Sequence, residues 1–485
     1  MVAVMIVPQH CSVAAAQRSI EAGGGLRDKV NVGAATFLHS SAASLLGYGA
    51  IGGLQLLRRP LAAVLIRRAI AGRCKFSPAG AGTGYEQDQM TLVADDGDQE
   101  GAISSFELPA LHSRFPLRLN PYAEDLREEC ESWGLSLLIG SGASPTQRQA
   151  FLEGRYHLCA SLYLPAFRFP HRLALCSKFF AFGFMVDDVM ELTPPQEADA
   201  LLRASIAGWS DAEYQSQSWR SSKLATIFQR LKAEVFDGMY REMSPGLRAR
   251  TERCTLEWFH TVGAEQCSAR FQSFEEYMAF REIEIGARVY LCLVEYSLDI
   301  DVEELELKYA DLFMVQFREA VLKHYILVND LLSFRKEVIQ HAAGGYQRGA
   351  IGILLAELQQ QQAEAASTTS SSCSSAASGD LQRCIDKVWS MIQEQEVDIL
   401  RLVKEIKARL PESASDLVKY VDGCCDSLAS HMYWYTISGR YRLDNVKFLH
   451  GQPAGGRPTV VSLSPDDPTG QKCVSLSRLV LNQGS

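Results

Sequence analysis

The chain has 485 residues, of which 47% are hydrophobic, and a formal net charge of −9. That apolar content is enough for a sizeable core, and the length has room for two or three average domains. The negative balance argues against a nucleic-acid partner, but not against an anionic substrate, because a hard divalent cation inverts the local charge of a carboxylate site.

The 13 cysteines are odd in number and carry no metal-ligand spacing, the one adjacent pair being Cys424-Cys425. They read as reduced thiols in a reducing compartment. No run of about 18 uninterrupted apolar residues occurs, so no transmembrane segment is predicted.

Residues 1–100 differ from the rest. Up to residue 80 they hold Arg or Lys at 18, 27, 29, 58, 59, 67, 68, 73 and 75 against only Glu21 and Asp28. The bias suits a transit peptide addressing a plastid or other organelle, the alternative being a disordered extension of a cytoplasmic protein. From about Phe106 helical periodicity takes over, and no Gly-rich phosphate loop interrupts it. The segments 121–138, 146–162, 271–294, 310–340 and 381–410 each place apolar residues three and four apart between Pro, Gly and Ser punctuation. This predicts an all-α fold, one large helical domain over 104–450. A glutamine run at 359–362 and the Ser-rich stretch after it predict a solvated loop at about 359–380. The tail 451–485 has no period and is expected to be flexible.

Two polar motifs interrupt the apolar helices. The first, Asp187-Asp188-Val189-Met190-Glu191, ends an aromatic, apolar segment. On a helix, residues 187, 188 and 191 lie within one turn of each other, so three carboxylates converge at a buried end. Their repulsion calls for a cation, and hard oxygen ligands suit magnesium. Alone, the same letters also describe a solvated, charged helix end.

The second motif puts Asn329, Ser333 and Glu337 at i, i+4 and i+8, along one stripe of a helix. An amide oxygen, a hydroxyl and a carboxylate make a hard-oxygen site with a single negative charge. Lys336, beside Glu337, is placed to reach a phosphate. Phe180 and Phe184 precede Asp187 by seven and three residues, and Trp434 lies near the C-terminal end of the periodic region. These three are candidate cavity lining, or ordinary core aromatics.

The pattern Asn329-Asp330-x-x-Ser333-x-x-Lys336-Glu337 resembles the second metal motif of microbial-type class I terpene synthases, and Asp187-Asp188-x-x-Glu191 resembles their aspartate-rich motif. Tyr277-Met-Ala-Phe-Arg281 with Glu284, Ile285 and Gly286 resembles the segment bearing the diphosphate-sensing arginine, a linker and an effector position. Arg440-Tyr441 resembles the family's C-terminal pair, and Phe106-Glu-Leu-Pro109, Asn120-Pro121 and Trp133 resemble its opening. The likeness covers roughly 106–450. It implies the class I helical bundle, three magnesium ions with manganese as a substitute, and a geranyl, farnesyl or geranylgeranyl diphosphate substrate. It further implies ionisation with release of diphosphate, then cyclisation or rearrangement of the carbocation to a hydrocarbon or alcohol. Arg281, Lys336, Arg440 and Tyr441 would then bind the diphosphate, and a homodimer is a family-level expectation. The third acidic residue is Glu191 and the effector position is the bulky Ile285, which leaves the product open. A chain-elongating prenyl diphosphate synthase shares the fold but resembles its own family in carrying a second aspartate-rich motif. A non-catalytic helical binding protein is expected to have lost metal ligands, and all are present here.

Overall fold

The computed structural model describes residues 105–140, 142–192, 228–261, 271, 273–308, 312–342, 349–366, 376–449 and 457–463. The predicted transit segment lies outside them. The first helices are α1 (Arg127–Gly140), α2 (Pro145–Glu153), α3 (Tyr156–Tyr163) and α4 (Pro170–Leu192). Ser144 and Gln147 start α2 with a reciprocal capping box, and Pro145 occupies its first turn, where a missing N–H costs nothing. The sequence predicts one helix across 146–162. The structure divides it at Gly154-Arg155, because Arg155 takes a left-handed φ of 51°.

A π turn (Lys232–Phe236) leads into α5 (Asp237–Glu242) and α6 (Pro245–Thr261). Next come α7 (Phe274–Glu284), α8 (Ala287–Leu298) and the short α9 (Glu303–Lys308). The predicted helix over 271–294 is likewise two helices. Gly286 turns the chain with φ 72°, and a Cβ there would lie 3.2 Å from the Trp258 ring, so conformation and space both require glycine.

The middle of the molecule is α10 (Leu312–Ala342). Phe317, Val321, Ile326, Leu331 and Phe334 are each no more than 1% exposed. These residues fall on all sides of the helix, the pattern of an element enclosed by others. It packs on α7, on α11 (Ala350–Ala366), on α12 (Ala376–Arg409) and on α13 (Ser415–Ile437), while α3 lies against α4 and α13.

Two expectations are corrected. The glutamine run at 359–362 is not loop but the last part of α11, with Gln360 bonded to Glu364 one turn on and Gln362 to Asp380 of α12. Glutamine is a good helix former, and its polarity marks an exposed face here, not a break. The predicted tail contains β4 (Thr459–Ser462), which pairs antiparallel with β1 (Ser105–Leu108), Phe106 opposite Val461. β2 (Leu111–His112) runs parallel to β3 (Phe448–Leu449). Val461 and Leu463 are 2% exposed, so the folded domain extends past 450. A four-residue strand is too short to announce itself as a period. No helix among the described residues is long and apolar enough to cross a membrane.

Candidate active site

The segment at the end of α4 is apolar and aromatic, which buries the helix and carries Asp187 inward. Asp187 Oδ2 accepts a hydrogen bond from Arg440 Nη2 at 2.9 Å, and Lys336 Nζ stands 3.8 Å from the same oxygen. One carboxylate thus joins α4, α10 and the turn after α13. The side chains of Asp188 and Glu191 lie outside the described residues.

The second motif occupies a buried stretch of α10. Ser333 Oγ donates to Glu337 Oε1 at 2.5 Å, so both oxygens face one side. Asn329 is oriented from two directions. Its Nδ2 donates to the Tyr435 hydroxyl at 2.6 Å, and its Oδ1 accepts from Arg281 Nη2 at 2.6 Å. Arg281 also forms a pair with Glu284, one turn along α7, and places its Nε 3.2 Å from Asp330 Oδ1. Burial opposes the Arg281 charge, but Tyr277 and the carboxylates of Asp330, Glu337 and Asp187 outweigh it and raise its pKa.

Arg440 and Tyr441 are 6% and 2% exposed. Their turn is fixed to the α2–α3 junction. Gly439 N–H donates to the Glu153 carbonyl at 2.8 Å, Ser438 Oγ to the Gly154 carbonyl at 3.0 Å, and Arg442 pairs with Glu153 at 2.7 Å. Burial pushes the Tyr441 pKa well up, which keeps the phenol protonated and able to donate.

Beneath the charges lies an aromatic layer. The Arg440 guanidinium stands 5.1 Å from the centre of the Phe184 ring. Phe184 and Trp434 have centroids 4.9 Å apart, Tyr435 and Tyr441 4.4 Å, and Phe180 meets Tyr163 one turn lower at 5.2 Å. Ile285 is half-buried at the break between α7 and α8 and packs on the core.

The predicted residues Asp187, Lys336, Asn329, Ser333, Glu337, Arg281, Arg440 and Tyr441 therefore converge, with Phe184 and Trp434 directly below. Sequence reasoning missed Tyr435 and the work of Tyr277 and Asp330. The i, i+4 spacing of Tyr277 and Arg281 was a usable signal, since it puts the phenol and the guanidinium on one helix face.

The donor set fits a hard divalent cation. Asn329, Ser333 and Glu337 offer three oxygens and one charge on one stripe, leaving coordination positions for water and phosphate oxygens.

Residues 178–396 match the family model for terpene synthase family 2, C-terminal metal binding. The chain is 27% identical over 368 residues to the (E)-2-epi-beta-caryophyllene synthase of Selaginella moellendorffii, covering 73% of this chain and 90% of that enzyme. It is 26% identical over 361 residues to the (3S,6E)-nerolidol synthase of the same organism, covering 73% and 88%. Among solved structures, a single-residue variant of cucumene synthase superposes with a TM-score of 0.51 at 17% identity, over 68% of this chain and 99% of that one. That likeness is one of fold.

Proposed function

We propose that this chain is a microbial-type class I terpene synthase that ionises a geranyl, farnesyl or geranylgeranyl diphosphate and turns the carbocation into a terpene hydrocarbon or alcohol. The observation that carries this reading is the convergence of Asp187, Asn329 and Arg281 with Lys336 and Arg440 above an aromatic layer. Cations and metal-ligand oxygens beside a layer of aromatic side chains suit a substrate with a diphosphate head and a hydrocarbon tail.

Asn329, Ser333 and Glu337 would hold magnesium at one side of the head group, and Asp187 with its neighbours Asp188 and Glu191 at the other. Bound there, magnesium supplies Lewis-acid stabilisation of the leaving diphosphate. The chain's own cations add to it. Arg281 and Arg440 present planar forks that match phosphate oxygens, and Lys336 adds a point charge. Because they are fixed before the carbon–oxygen bond breaks, they need no reorganisation as charge develops. Tyr441 donates one further hydrogen bond. The electron pair of the broken bond leaves with the diphosphate, and the positive charge stays on the allylic carbon. Phe184 and Trp434 face that charge with ring π-density and help keep water out.

The test is incubation of the full chain with magnesium and each of the three diphosphates, with products read by gas chromatography and mass spectrometry and diphosphate release measured separately. One substrate should give terpene product. Asp187→Ala and Asn329→Ala should each slow release by about 10²–10³. Normal release in both variants would remove the assignment of the metal-binding oxygens.

A further inference from the structure

Asp330 follows Asn329 in the chain but points elsewhere, since consecutive helix residues are about 100° apart. It is 1% exposed. A carboxylate so deeply buried is tolerated only when donors satisfy it, and its donors come from two other helices. Oδ2 accepts the Tyr277 hydroxyl at 2.5 Å and the Ala350 N–H, at the start of α11, at 3.0 Å. Oδ1 faces Arg281 Nε and Nη2, both at 3.2 Å.

The division of the guanidinium is what matters. Asp330 takes the Nε edge, Glu284 takes Nη1, and Nη2, shared with Asp330, goes to the metal-motif oxygen of Asn329 at 2.6 Å. An arginine side chain has several rotatable bonds, and without a fixed counter-charge its fork samples many directions. A carboxylate set in the central helix removes that freedom at the Nε edge, as Glu284 does at Nη1, and leaves Nη2 aimed at Asn329. Asp330 is itself held by Tyr277 and Ala350, so its own position is determined by α7 and α11.

We propose that Asp330 is a positioning residue: it anchors Arg281 through Nε so that Nη2 is presented to the diphosphate beside Asn329. The inference rests on the reading in the preceding section. Asp330 touches neither substrate nor metal in this scheme and acts only through Arg281.

A double-mutant cycle tests it, because residues that act through one another lose their effects non-additively. Full-length wild type, Asp330→Asn, Arg281→Ala and the double variant are compared in two assays. One is calorimetric titration with inorganic diphosphate and magnesium. The other is diphosphate release from whichever isoprenyl diphosphate the wild type turns over. Asp330→Asn should weaken diphosphate binding at least tenfold and slow release at least thirtyfold. In the Arg281→Ala background the same change should cost no more than twofold. Additive losses would mean that Asp330 serves general packing, and wild-type behaviour of Asp330→Asn would mean that Arg281 is held by other groups; either overturns the proposal. If circular dichroism shows Asp330→Asn unfolded, Asp330→Glu replaces it in the cycle, keeping the charge but carrying it one methylene further. A loss that vanishes with Arg281→Ala supports the proposal, and wild-type kinetics or additive losses overturn it. A wild type that releases diphosphate from none of the three substrates would instead sink the proposed function, and this inference with it.

Discussion

A carboxylate on α4 meets an arginine 253 positions later in the chain, and that single contact defines where the site is. Neither residue's type predicts the pairing. Arg440 reaches Asp187 because the turn that carries it is pressed against the α2–α3 junction, with Gly439 at the point of closest approach. A Cβ at 439 would lie 2.8 Å from Glu153 Cβ and 3.0 Å from the Glu153 carbonyl oxygen. Backbone cannot yield there as the end of a flexible side chain can. Gly439→Ala should therefore push the turn outward and misplace Arg440 and Tyr441 together, although the added methyl meets Glu153 and alters neither side chain. We expect diphosphate release to fall about tenfold or more, since positioning errors of an ångström are costly in catalysis. Comparing release rates with the melting temperature checks this. A stability loss with unchanged kinetics would show that the turn is only structural. The metal-motif residues were legible in the sequence because each sits on a helix whose period is regular. The partner of each was not, because partners are set by packing between helices distant in sequence.

At the scale of elements, what the sequence showed and what it hid follow one rule. The long helices α10 and α12 were visible from many turns of periodicity. The break at Gly154-Arg155 was not, because apolar spacing continues across it and only the backbone dihedral changes, and the one at Ile285-Gly286 was implied by the family resemblance, not by the spacing. The short strands were hidden for the opposite reason, having too few residues to show a period. These strands nonetheless tie down the N-terminal arm, joining residues at opposite ends of the domain. Beyond the β1–β4 pairing, Arg335 Nε of α10 donates to the Ser462 carbonyl at 2.8 Å. Ser113 Oγ and the Arg114 N–H donate to the buried Glu396 of α12 at 2.5 and 2.8 Å. Truncation after residue 450 should thus destabilise the domain relative to a chain ended after 466, which keeps every described residue. Removing the burial of Val461 and Leu463 and uncovering Phe106 costs about 1.5–3 kcal/mol per side chain. Thermal unfolding of the two truncated chains separates the cases. Equal melting temperatures would mean that the β1–β4 pairing contributes no stability.

Across the whole molecule, charge is arranged differently at the two ends of α4. At the Asp187 end the three cations Arg281, Lys336 and Arg440 meet the carboxylates of Asp187, Glu284 and Asp330. Some 15 residues back along the helix, about 22 Å at 1.5 Å per residue, Arg172 is held by Glu242 and Asp299 at 2.7 and 2.9 Å. Near that end, Arg250 of α6 is shared among Glu295, in the last turn of α8, Asp301 and Glu303 at 2.5 to 2.9 Å. One guanidinium cannot neutralise three carboxylates. Burial pushes Glu295 up to about 7 despite Arg250, and Asp301 and Glu306 add repulsion. In the unfolded chain this carboxyl titrates near its ordinary value, so between there and about pH 7 the folded state binds the extra proton. Stability from this group is therefore complete below the unfolded pKa and is lost as pH rises through the folded one. A shift of this size corresponds to roughly 3 kcal/mol at 1.36 kcal/mol per unit. Glu295→Gln cannot titrate, so relative to the parent it should gain about that much between pH 4.5 and 8, read from denaturant unfolding at a series of pH values. A difference between the two proteins that stays constant with pH would show that Arg250 keeps Glu295 ionised throughout. Because the cluster lies far from Asp187 along α4, the variant's diphosphate-release rate at a fixed pH should match the parent's, which separates a stability effect at this end from chemistry at the other.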